Sequence, residues 1–94
     1  MAVVIYGPMA TGKTLHAQRF RSHYQCARVI ELDEQEYRHT KFQPQRNDLM
    51  LTTMSREAVL RRFPAVRVVG INHARKAIGL ERAPKGGFFA GGAR

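Results

Sequence analysis

The sequence predicts an α/β fold, a small, mostly parallel sheet flanked by helices. Two observations carry this prediction. β-prone apolar runs alternate with stretches of helical period in the order strand, helix, strand, loop, strand, helix, strand, helix. Such alternation builds parallel sheets, because each helix returns the chain to start the next strand in the same direction. The first run, Val3-Val4-Ile5-Tyr6, is apolar without interruption, as expected of a central strand buried on both faces.

Residues 2 to 6 therefore form the first predicted strand, ended by Gly7. From Leu15 to Gln25 the pattern becomes helical, with Ala17, Phe20 and Tyr24 on one side and Gln18, Arg21, Ser22 and Gln25 on the other. His16 and His23 lie on this helix without an acidic or cysteine partner and are read as surface residues. Arg28 to Glu34 form a second strand in which Glu31 interrupts the apolar run. By the two-residue period of a strand, Glu31 shares a side with Asp33. It marks either an edge strand with one wet face or a residue close enough to the carboxyl end to face a ligand crevice.

Residues 35 to 47 read as a long basic loop containing Tyr37, His39, Lys41, Phe42 and Arg46. Its aromatics suit either base stacking on a single nucleic-acid strand or, for Phe42, a return to the core. Asp48 to Met54 make a third strand, with Leu49-Met50-Leu51 apolar and Thr52-Thr53 at its carboxyl end. Ser55 is a suitable N-cap for a helix from Arg56 to Phe63, stopped by Pro64, with Val59, Leu60 and Phe63 as its buried stripe. Ala65 to Ile71 form a fourth strand, where Arg67 argues for an edge position. A last short helix is expected to be capped by Asn72 and ended by Gly79, with Arg75 and Lys76 projecting outward. Residues 1 to 82 form the predicted domain, and the glycine-rich segment 83 to 94 is expected to be a disordered tail.

Between the first strand and the first helix lie Gly7, Pro8, Met9, Ala10, Thr11, Gly12, Lys13 and Thr14, which fit the pattern G-x-x-x-x-G-K-[ST]. The glycines let the backbone curl so that successive N–H groups point inward at phosphate oxygens. The segment resembles the Walker A motif of P-loop NTPases, and the chain resembles small phage or bacterial P-loop proteins that contain little beyond the nucleotide core. The resemblance covers roughly residues 2 to 72, with only the Walker A segment specific. It implies that all eight residues cradle the phosphates of ATP. Lys13 would reach the β- and γ-phosphates, and Thr14 would offer its hydroxyl to Mg²⁺. A helix starting near Gly12 would place its partial positive end beneath the anion.

The second strand resembles a Walker B motif, with Glu31 as the departure. The resemblance implies Asp33 as the magnesium-side acid and Glu34 as the water-polarising base, with Lys13 as the other catalytic residue. The Thr52-Thr53 pair resembles the sensor position of AAA-type ATPases, which implies contact with a γ-phosphate or an attacking water; simple strand termination is the alternative. The guanine-selective N/T-K-x-D pattern is incomplete at Thr40-Lys41-Phe42-Gln43, where Gln43 replaces the acid, and this favours adenine. Arg61, Arg62 and Arg75 are the candidate arginines for transition-state charge.

The chain has 94 residues and a net charge of +9. Residues 1 to 37 are balanced, with four Lys/Arg against four acids, whereas residues 38 to 94 hold twelve Lys/Arg against Asp48, Glu57 and Glu81. The excess favours nucleic acid as a partner for residues 38 to 94, with a solubilising surface as the alternative. Cys26 is the single cysteine, which excludes an intrachain disulfide and, with no signal-peptide pattern or long apolar run, points to a cytosolic protein without a membrane span.

These features together predict a slow Mg²⁺-dependent ATPase, acting as a homo-oligomer or within a larger complex. A small nucleoside or nucleotide kinase is one alternative, although little chain remains for a lid and an acceptor pocket. A nucleic-acid-binding module with nucleotide as structural or switching ligand is the other.

Overall fold

A computed structural model describes residues 2–8, 13–34 and 42–80. It is an α/β fold with four strands, β1 (Val3–Tyr6), β2 (Arg28–Glu31), β3 (Asp48–Thr52) and β4 (Arg67–Gly70). Three helices accompany them: α1 (Ala17–His23), α2 (Arg56–Arg62) and α3 (Ile71–Ala77). Every strand pair is parallel and the order across the sheet is β2-β3-β1-β4. β1 is interior, as its unbroken apolar run predicts, and Arg67 stands on an outer strand. The predicted tail, 83 to 94, lies outside the described residues, as do Tyr37, His39 and Lys41.

The alternation of side chains along each strand divides the core between the two faces of the sheet. On one face Val3, Ile5, Leu49, Leu51 and Val69 pack with Ala17 and Phe20 of α1 and Ile71 and Ala74 of α3. On the other, Val4, Ile30, Leu32 and Met50 pack with Val59 and Phe63 from α2 and its end. Phe42 joins this second cluster, edge to face on Phe63 with ring centroids 6.3 Å apart. The ring thus returns to the core.

Several boundaries differ from those predicted. α1 begins at Ala17, well after Gly12; Lys13 to His16 form turns, and neither an acid in the first turn nor a side-chain cap supports an earlier start. β2 ends at Glu31, so Leu32 and Asp33 lie in the turn beyond it. Asn72 does not cap α3: β4 passes directly into the helix with Gly70 as N-cap. Arg75 does not project outward but is buried at 5% exposure, because α3 packs beside α1, whose Arg19 donates to the Ile78 carbonyl at 2.7 Å. Ser55 does cap α2, its Oγ accepting from the Ala58 N–H at 3.1 Å.

Candidate functional site

Parallel strands in register deliver their carboxyl ends to one edge of the sheet, and the loop of interest leaves from that edge. α1, which follows β1, packs on one face of the sheet; α2, which follows β3, packs on the other. β1 and β3 are neighbours, so their outgoing connections diverge and open a crevice between them. In open α/β sheets this is where ligands bind. The Gly7 N–H donates to the Thr52 carbonyl at 3.1 Å, which holds the first residue of the loop against the end of β3.

Met9, Ala10, Thr11 and Gly12 lie outside the described residues, whereas Gly7, Pro8, Lys13 and Thr14 are described. Lys13 is buried, and its Nζ donates to the carbonyls of Gly7 at 2.8 Å and Pro8 at 2.7 Å. Burial pushes its pKa below the ordinary value, and the carboxylates of Asp33 and Glu31 offset part of that. Thr14 is exposed and its hydroxyl donates to Glu31 Oε2 at 2.9 Å. Glu31 thus lies on an outer strand and, as the last residue of β2, meets the end of the loop at Thr14.

Asp33 sits just beyond β2 and accepts three hydrogen bonds from the end of β3. Thr52 Oγ1 donates to Oδ1 at 2.6 Å, while the Thr53 N–H and Thr53 Oγ1 each donate to Oδ2 at 2.8 Å. Thr52 Oγ1 also accepts from the Met54 N–H at 3.1 Å, which ties the approach to α2 into the same network. Burial raises the pKa of Asp33, but these hydrogen bonds and the charge of Lys13 outweigh it and leave the carboxyl below its ordinary range. The threonine pair is thus engaged by an acid within the chain. Glu34 is exposed, in the turn after Asp33.

The site brings together Lys13, Thr14, Asp33, Thr52 and Thr53 and adds Glu31, whose signal in the sequence is the acid breaking an apolar run at a strand end. Of the candidate arginines it does not gather Arg61 and Arg62. Arg61 and Arg62 occupy the last turn of α2, at the opposite end of the sheet. Arg75 lies near His16, whose pKa is lowered by partial burial and by the charges of Arg75 and Arg19.

Comparison with family models, curated proteins and solved structures finds no match. Among the described residues no helix is long and apolar enough to cross a membrane.

Proposed function

We propose that the chain binds ATP with Mg²⁺ at Gly7 to Thr14 and hydrolyses it slowly, as a minimal P-loop NTPase. The observation that carries this reading is the position of Lys13 and Thr14 at the crevice between β1 and β3, beside the carboxylates of Glu31 and Asp33. A cation, a hydroxyl and two acids there are the groups that binding a metal–polyphosphate requires.

The donor set fits the ion. Thr14, Glu31 and Asp33 offer oxygens only, and Mg²⁺ is held by one or two carboxylates together with phosphate oxygens rather than by nitrogen or sulfur. These three residues would hold it, and the bound ion would neutralise charge on the phosphoryl oxygens. Lys13, now on the carbonyls of Gly7 and Pro8, would exchange them for phosphate, and a charged phosphate would reverse the lowering of its pKa. The three bonds to Asp33 fix its carboxylate before ligand arrives. Glu34, exposed beside the site, would orient the attacking water.

Hydrolysis is slow in this reading because Arg61 and Arg62 lie in the last turn of α2, at the other end of the sheet from the loop, and an arginine at the transferring phosphoryl group is worth about 10³ to 10⁵ in rate. A second copy or another partner would supply it. Turnover is to be measured over a range of protein concentrations, with wild type and Lys13→Ala. Slow hydrolysis that accelerates per molecule with concentration and is lost in Lys13→Ala is expected; fast, concentration-independent turnover refutes the need for a partner.

A further inference from the structure

We infer that the amino-terminal end of the sheet, opposite the loop, binds the phosphate backbone of nucleic acid. The topology gathers charge there that is scattered in the sequence. β1, β2, β3 and β4 all start at this end, and α1 and α2, which return the chain from the carboxyl end, finish at it. It therefore collects Arg21 from the last turn of α1, Arg28 at the start of β2, Arg46 before β3, Arg61 and Arg62 from the last turn of α2, and Arg67 at the start of β4. Asp48 is the one acid among the described residues at this end; it is buried and paired with Arg28. The other described acids, Glu31, Asp33, Glu34 and Glu57, lie at the carboxyl end. Among the described residues, the acids other than Asp48 thus lie at the end away from these arginines, together with Lys13 and Arg56.

Cations in the last turn of a helix favour its negative end, which accounts for Arg21, Arg61 and Arg62. Arg46 and Arg67 belong to a turn and a strand, where no helix dipole calls for them, and Arg28, also on a strand, is already paired with Asp48. The residue type selects the partner. All are arginines, whose planar fork matches phosphate oxygens two at a time, and apart from Arg28, whose fork holds Asp48, they are the groups offered to phosphate. Two guanidiniums rest on rings, Arg62 at 4.8 Å from the Phe63 centroid and Arg67 at 5.2 Å from that of Tyr24, which restrains side chains otherwise free to wander. Arg21 bonds the neutral oxygens of Gln18 and Cys26 and keeps its charge uncompensated by them.

A lipid surface fits less well. Interfacial binding needs exposed apolar side chains to insert, and the exposed large apolar residue among the described ones is Leu15, which adjoins the loop at the other end. Three strand spacings separate β2 from β4, about 14 Å, a length of duplex that carries about eight phosphate charges over both strands, part of which face one surface. This surface includes Arg21 and Arg28, which precede the basic half of the sequence.

The inference is independent of nucleotide binding and is tested on the full chain by fluorescence anisotropy. The probes are labelled oligonucleotides of about 20 nucleotides, single-stranded and duplex, titrated across salt. Binding that weakens steeply with salt is expected. Arg61→Gln with Arg62→Gln should lower affinity about tenfold and make the salt slope shallower by about 1.4 on a single strand or about 1.8 on a duplex. Arg46→Gln, before β3, is the second variant should the double one fail to fold by circular dichroism, with about half that change in slope. Arg56→Gln, at the carboxyl end, and Lys13→Ala should bind like wild type. No binding at low salt, an unchanged slope in the Arg61/Arg62 variant, an equal loss in Arg56→Gln, or tighter binding to phosphatidylserine vesicles than to either oligonucleotide overturns it.

Discussion

Asp33 is held more firmly than any other acid at the crevice, and its bonds have a pH signature. Its folded pKa lies below the ordinary carboxylate value, so it stabilises the fold above the unfolded pKa of about 3.9, and that contribution is lost as pH falls through the folded value. Asp33→Asn loses the charge at every pH and must set one amide NH₂ against the donors of Thr52 and Thr53. The expected cost near neutral pH is about 1 kcal/mol, since the bonds from Thr53 are exposed and the one from Thr52 is the better shielded. Urea denaturation of both proteins checks this: the gap should narrow as pH drops below about 4, and a gap independent of pH contradicts it. Asp33 and Thr52 are each legible in the sequence as polar residues at a strand end. Their pairing is not, because it depends on β2 lying next to β3 rather than β1.

Two helices end in the same hydrogen-bonded motif with different residues at its left-handed position. After α3 the Gly79 N–H donates to the Lys76 carbonyl at 3.1 Å and the Leu80 N–H to that of Arg75 at 2.8 Å, with Gly79 at φ +86°. After α1 the Gln25 N–H donates to Ser22 at 3.2 Å and the Cys26 N–H to Arg21 at 2.9 Å, with Gln25 at φ 57°. Both are Schellman endings, and a Cβ in this conformation costs about 1 kcal/mol. Gln25→Gly should therefore raise stability, and Gly79→Ala lower it, each by about 1 kcal/mol. A Cβ at Gly79 meets nothing within 4 Å, so the loss there would be one of backbone conformation. Thermal melts of the two variants should move in opposite directions; shifts of the same sign would refute the assignment.

Gly79 announces its helix end in the sequence, as Ser55 announces a beginning, because each residue type has one dominant local use. Gln25 carries no such mark. The late start of α1 was equally hidden: the helical period continues through Leu15, but Leu15 is 80% exposed and has no core to bury against.

For the whole molecule, the alternation of elements was enough to predict a mostly parallel sheet, and the unbroken apolar run of β1 placed that strand inside it, buried on both faces. The +9 charge was equally plain, but its direction was not. Dividing the sequence at residue 37 made its first part look neutral, whereas the fold sends Glu31, Asp33 and Glu34 to the carboxyl end and Arg21 and Arg28 to the other. The same topology separates the proposed phosphate loop from the arginine surface by the length of the strands. A nucleic acid and a nucleotide could therefore be held together, one at each end.

The central proposal is that the loop from Gly7 to Thr14 holds the polyphosphate of ATP, and calorimetric titration of the full chain with ATP addresses it most directly, with and without Mg²⁺, for wild type and Lys13→Ala. Saturable binding in Mg²⁺, weaker binding in its absence, and loss of binding in a folded Lys13→Ala protein are expected. Absence of binding by wild type at millimolar ATP, or undiminished binding by Lys13→Ala, would show that the loop is not a nucleotide site.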